Sequence, residues 1–182
     1  MPFAKTWSEE LVAEWLQLNG YLVEIGVPTG TSSKGGRGEA DVIGAKIINN
    51  TLEIVHVEVG QLLTGEEYTR ETLEKKFSQK TCDLIKEYFK QRFGFTGNCV
   101  KYKKMYIMTY GSQKASEISS ELGIEVKKLP EFIKQDVIQT IQNWKQQPPH
   151  KPKSQGKMIT LPQSHWVLQL IDYLYNEKII LL

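Results

Sequence analysis

Residues 38–60 read GEADVIGAKIINNTLEIVHVEVG, and within this stretch Asp41 and Glu58 are the pair able to do chemistry together. Two runs rich in β-branched apolar residues flank Asn49-Asn50, and Asn tolerates the positive φ that a two-residue hairpin turn requires. With the Asn pair as the turn, Ile48 opposes Thr51, and counting outward sets Asp41 opposite Glu58. Opposed residues of antiparallel strands share a face, with Cβ atoms about 4.5–5.5 Å apart. Two carboxylates that close repel each other unless they share a proton or a cation. A divalent metal held by carboxylate oxygens is the simplest resolution.

The same count places Glu39, Asp41, Ile43, Ala45 and Ile47 on one face, opposite Gly60, Glu58, His56, Ile54 and Leu52. One end of this face is acidic and the other apolar, so the apolar end is expected to pack under the first helix while the acidic end opens into a site. Glu39 is either a further ligand or a rim charge. His56 lies one step inward from Glu58, as a metal ligand or as a buried, hydrogen-bonded side chain.

The elements that must hold this pair follow from periodicity. Residues 6–18 form an amphipathic helix through Leu11, Val12, Trp15 and Leu16, and Thr6 with Glu9 has capping-box spacing. Residues 21–27 form a strand, 29–38 (TGTSSKGGRG) a loop carrying Lys34 and Arg37, and 66–92 one long helix buried along Leu73, Phe77, Leu84, Ile85 and Tyr88. A polar loop at 93–104 precedes a strand at 105–109, a helix at 112–122, a strand at 124–129 and a helix from Pro130 through Trp144. Residues 146–157 are a basic, Pro-containing linker, and 158–182 offer Ser164 as N-cap to an apolar helix. This order describes an α/β protein with a mixed sheet.

The 182 residues suit one domain, 40% hydrophobic, and the net charge of +2 gives no global case for nucleic acid. Any such case rests on local patches: Lys34 and Arg37, or Lys101, Lys103 and Lys104 in the KYKK run. No window approaches the ~20 apolar residues of a membrane span. The start MPFAKTWSEE lacks a signal-peptide layout, and Cys82 and Cys99 make neither a CxxC nor a disulfide framework, so a cytoplasmic protein is expected.

The pattern of a helix glutamate, then GEAD, then HVEVG resembles the PD-(D/E)xK nuclease superfamily, which includes archaeal Holliday-junction resolvases and many restriction endonucleases. It is similar to small endonuclease-like proteins that read E-x-x-A-x-x-Y-L-x-x-x-G-Y, GEIDLI and FVEVK. Glu9, Val12, Trp15, Leu16, Gly20 and Tyr21 match the first piece; Glu39, Asp41, Val42 and Ile43 the second; Val57, Glu58 and Val59 the third. The resemblance runs from about residue 9 to 89. It implies a restriction-endonuclease-like α/β/α sandwich with a central mixed β-sheet, and a Mg²⁺- or Mn²⁺-dependent endonuclease acting on DNA. Asp41 and Glu58 would hold the metal, with Glu9 and Glu39 completing its shell. By analogy the protein is also expected to be a homodimer.

The chain departs from the pattern where the third motif ends in lysine, because that position is Gly60. Either the lysine has migrated or catalysis is lost and the fold serves as a DNA-binding or scaffold subunit. Lys80 interrupts the expected buried stripe of the long helix and is the first candidate for a migrated amine; Lys76, one turn earlier, is the second. Gln61 would reach the site only through a one-residue bulge.

Overall fold

The computed structural model describes residues 4–31, 37–62, 65–111, 114–147 and 160–180. They form α1 (Trp7–Leu18), β1 (Leu22–Thr31), β2 (Arg37–Ile48), β3 (Thr51–Leu62), α2 (Glu66–Lys76) and α3 (Gln79–Phe93). Then come β4 (Val100–Gly111), α4 (Lys114–Glu121), β5 (Glu125–Lys128), α5 (Leu129–Phe132), a π-helical turn (Ile133–Val137), α6 (Ile138–Gln146) and α7 (Trp166–Asn176). The five strands lie in sequence order in one open sheet. The first three are antiparallel neighbours, and β4 and β5 add in parallel, so the sheet is mixed.

The hairpin register is the one the Asn pair dictates. Asn49 and Asn50 both take positive φ, 48° and 58°, and pairing runs from Ile48↔Thr51 outward to Val42↔Val57. β1 is an edge strand, irregular where its register with β2 shifts between Pro28 and Gly30, with Gly26 at φ 65° and Gly30 at φ 125°.

Helices cover both faces. On one side Leu11, Val12 and Leu16 of α1 join Val42, Val55 and Val57 of the sheet, Phe132 and Ile141 of the α5–α6 segment, and Leu168 of α7. Each fully buried side chain of this kind contributes roughly 1.5–3 kcal/mol. On the other side α3 covers Ile43, Ala45, Leu52 and Ile54 with Ile85 and Phe89, while Leu73 and Phe77 meet Leu62, Tyr106, Met108 and Ile118. The face bearing Asp41, Ile43 and Ala45 is therefore covered by α3, not by α1. The helix after the hairpin and the one before it divide the two faces between them.

Three further sequence expectations need correction. The long helix over 66–92 is two helices. Ser78 accepts a hydrogen bond from the Thr81 backbone N–H at 3.2 Å, and this N-cap restarts the helical phase after Phe77. As a result Leu84 and Tyr88 are exposed, and Cys82 and Phe89 are buried in their place. KYKK lies in β4 rather than a loop, with Tyr102 turned inward and Lys101 and Lys103 outward. Ser164 is not the N-cap of α7; that position is His165, and Oε1 and Oε2 of Glu14, on α1, accept from the N–H groups of Val167 and Leu168 at 3.2 and 2.8 Å. α7 thus lies on α1 and α6. Most of the linker expected at 146–157, with Lys151, Lys153 and Lys157, lies outside the described residues.

Candidate functional site

Asp41 leaves β2 and Glu58 leaves β3 on the same face, one step beyond Val42↔Val57. The Val59 backbone N–H donates to Asp41 Oδ2 at 3.0 Å and fixes that carboxylate. Lys76, in the last turn of α2 where the helix dipole favours a cation, donates its amine to Glu58 Oε2 and reaches Asp41 Oδ2 at 3.4 Å. Its position follows from Phe77, which ends α2 and packs against His56 with ring centroids 4.7 Å apart and the planes tilted by 53°. The helix break thus aims Lys76 at the acidic pair.

The charges are strongly coupled. Burial, then the charge of Glu58, pushes the Asp41 carboxyl up to about 6. Burial also raises Glu58, against the pull of the Lys76 ammonium. Burial works against that ammonium, but Glu58 and Asp41 outweigh it and the Lys76 pKa rises. Two carboxylates facing one ammonium leave a net negative charge beside a cleft of about 550 Å³, whose lining includes Glu39, Glu58, Tyr68, Thr72, Lys75 and Lys76.

The other expected site residues fall elsewhere. Lys80 is exposed in the first turn of α3, on the far side of the helix break, and its apparent place in a buried stripe disappears with the single long helix. Glu9 serves the start of α1: its N–H donates to Thr6 Oγ1 at 3.2 Å, and its Oε2 accepts from the Lys5 backbone N–H at 2.7 Å. Glu39 pairs with the Lys5 amine at 2.7 Å. Among the described residues, no three His, Cys, Asp or Glu side chains converge to hold a metal, and Lys5 engages both Glu9 and Glu39. His56 has both ring nitrogens engaged, by Glu58 and Tyr102, and is not available as a ligand. Gln61 is exposed; the register irregularity beside it adds Thr109 to β4, not a residue to β3.

The basic candidates separate likewise. Lys34 lies outside the described residues, and Arg37 opens β2 next to Gly38 of the cleft lining. Lys101 pairs with Glu53 at 3.7 Å and Lys103 with Glu125 at 2.6 Å. Lys101 aligns with Glu53 in the β3–β4 register, which at about 3.3 Å per residue is some 17 Å back along the strand from Glu58. Lys104 aligns with His56, nearer the site.

Sequence reasoning missed Tyr106. It pairs with Glu58 across β3 and β4, is 3% exposed, and its hydroxyl stands where a side chain at residue 60 would begin. Burial pushes its pKa up to about 12, with Lys76, Glu58 and Asp41 all within electrostatic reach. Lys75 was missed as well, although it neighbours Lys76 and lines the cleft. Neither carries a motif signal.

No family model and no curated protein matches this chain. Among solved structures, the crystal structure of AF1548, a protein of unknown function, is similar at a TM-score of 0.42 and 14% identity, covering 94% of this chain and 77% of that one. No described helix is long and apolar enough to cross a membrane.

Proposed function

We propose that the protein is a divalent-metal-dependent endonuclease that hydrolyses phosphodiester bonds of DNA, built on a restriction-endonuclease-like sandwich. The observation that carries this reading is the convergence of Asp41, Glu58 and Lys76, the last two of which line one cleft. Supporting the fold part are the meander β1–β2–β3, the parallel β4 reached through helices, and helical cover on both faces.

The donor set fits a hard cation. Mg²⁺ commonly takes one or two protein carboxylates and completes its shell with water and substrate phosphate. Burial first, and the charge of Glu58 second, raise the Asp41 pKa in spite of Lys76. Asp41 and Glu58 would hold Mg²⁺ or Mn²⁺. When bound, the ion would supply an activated water and neutralise charge developing on the phosphate. Lys76 holds an ammonium beside that position, able to donate to a phosphate oxygen and take the role of the lysine absent at Gly60. Lys75 and Thr72 offer further donors to a backbone phosphate from the cleft wall.

The test is cleavage of supercoiled plasmid, linear duplex, single strand and four-way junction with Mg²⁺, Mn²⁺ or EDTA, beside Asp41→Ala. Metal-dependent cutting that vanishes in the variant is expected. Equal cutting by Asp41→Ala would overturn the assignment. A second reading, a nuclease fold retained as a DNA-binding or scaffold subunit, is favoured by Gly60 with Tyr106 crowding its place. DNA binding without cutting in any metal would select it.

A further inference from the structure

Glu58 is held from behind. Its Oε1 contacts His56 Nε2 at 2.7 Å, and His56 Nδ1 contacts the Tyr102 hydroxyl at 2.9 Å. His56 is 0% exposed and Glu58 1%. The imidazole packs at a tilt against Phe77 and meets the Tyr102 ring edge-on, with centroids 6.1 Å apart. Tyr102 reaches it diagonally, because its strand register places it beside Ile54.

Chemistry sets the direction of both bonds. The phenol donates to Nδ1, which leaves the ring proton on Nε2, donated to Glu58 Oε1. The reverse order would face a bare Nε2 against a carboxylate oxygen. It would need a proton on Glu58, which the Lys76 ammonium on Oε2 opposes. Glu58 therefore has one oxygen committed to the interior and one turned towards Lys76 and the cleft.

We infer that His56 and Tyr102 are a positioning pair for Glu58, holding Oε1 inward so that a divalent cation in the cleft engages this residue through Oε2 alone. The cation clause rests on the endonuclease reading; the positioning does not. Partners that orient a ligating group in this way typically change metal affinity 10–100-fold when removed.

Two measurements on the full chain test it. Long-range ¹H–¹⁵N correlation of the histidine rings, without metal, should find His56 as the Nε2–H form, and Tyr102→Phe should keep that tautomer, held by the Glu58 carboxylate, while shifting the Nδ1 resonance that has lost its donor. Mn²⁺ titration followed by electron paramagnetic resonance should show binding weakened about 10–100-fold in His56→Leu. Tyr102→Phe should shift it the same way by less. His56→Gln, whose amide N–H can reach the same carboxylate oxygen, should recover most of the affinity. Should His56→Leu not fold, Tyr102→Phe carries the comparison. A His56 ring protonated at Nδ1 would overturn the positioning pair, as would Mn²⁺ affinity unchanged in folded His56→Leu or Tyr102→Phe. Wild-type protein that binds no Mn²⁺ would instead overturn the endonuclease reading and the cation clause with it, and the ring tautomer would still decide the pair.

Discussion

The Tyr106 hydroxyl lies 2.7 Å from where a Cβ on Gly60 would stand. Gly60 is not among the glycines with positive φ, so space rather than backbone conformation demands glycine here. Tyr106 is buried and cannot swing away freely. Gly60→Ala should cost about 1–3 kcal/mol by overpacking. With Tyr106→Phe the nearest ring carbon is at 3.7 Å, an ordinary contact, and most of that cost should vanish. Urea denaturation of the two single variants and the double variant measures the coupling; an equal Gly60→Ala cost in both backgrounds would refute it. The same crowding means that Gly60→Lys alone does not restore a strand lysine, because its Cβ meets the phenol first.

Lys76 and Lys80 are one helical turn apart in sequence but belong to different helices. Lys76→Met should reduce metal-dependent plasmid nicking by at least about 10²-fold, the usual scale for removing a donor aimed at transition-state charge. Lys80→Met should leave it unchanged. Similar losses in both would show that the amine at Asp41 and Glu58 is not the functional one.

Asp41 gives a pH signature with a definite sign. Its carboxyl is raised from 3.8 to about 6 by burial first and Glu58 second. Across that window the folded state keeps a proton the unfolded chain has lost, so this contribution to stability falls as pH rises and is fully lost above about 6. The cost is on the order of 3 kcal/mol. His56, held neutral with its pKa lowered by burial to about 3, acts with the opposite sign as pH falls below 6.5. The diagnostic is therefore the difference between wild type and Asp41→Asn. The variant should gain stability relative to wild type at pH 8 and not at pH 4 in EDTA. Mn²⁺ should narrow the gap at pH 8 by stabilising wild type alone. A gap that does not depend on pH would contradict the burial argument.

Glu14 ties the C-terminal helix to α1. It is 1% exposed, and burial raises its pKa against the backbone N–H groups of Leu168 and Val167 that it accepts from. Glu14→Ala should destabilise the protein by about 1–3 kcal/mol, the cost of leaving buried donors unpaired. It should also speed proteolysis within residues 160–180, with Glu14→Gln retaining an acceptor and lying between. Unchanged cleavage in Glu14→Ala would show that packing alone holds α7.

The part of this architecture most legible in the sequence is the hairpin. A two-residue turn with both φ values positive is a narrow requirement that Asn49-Asn50 meets, and register then places Asp41 beside Glu58 by counting. What escaped was non-local or depended on one cap. Ser78 looks like an ordinary polar residue inside a helical pattern, yet capping α3 resets the phase, exposing Lys80 and aiming Lys76 inward. Which helix covers which face is not written in the hairpin's alternation, since both faces of β2 and β3 bear aliphatics. Tyr106 and Tyr102 approach from a strand more than 40 residues away from Glu58, and neither residue type nor spacing announces them. Glu9 shows the reverse case: the capping-box spacing was legible, and the structure uses Glu9 at the cap.

The open sheet has two rims, and both are poor templates for growth. Pro28 offers no amide hydrogen, the positive φ at Gly26 and Gly30 spoils the flatness an incoming strand would need, and Glu24 with Arg92 places charge alongside. The opposite rim is only Glu125–Lys128, four residues of which three are charged. A partially unfolded molecule that keeps this sheet should therefore resist recruiting neighbours into fibrils, and a pair of copies would have to meet through helices or the cleft rather than through one continuous ladder.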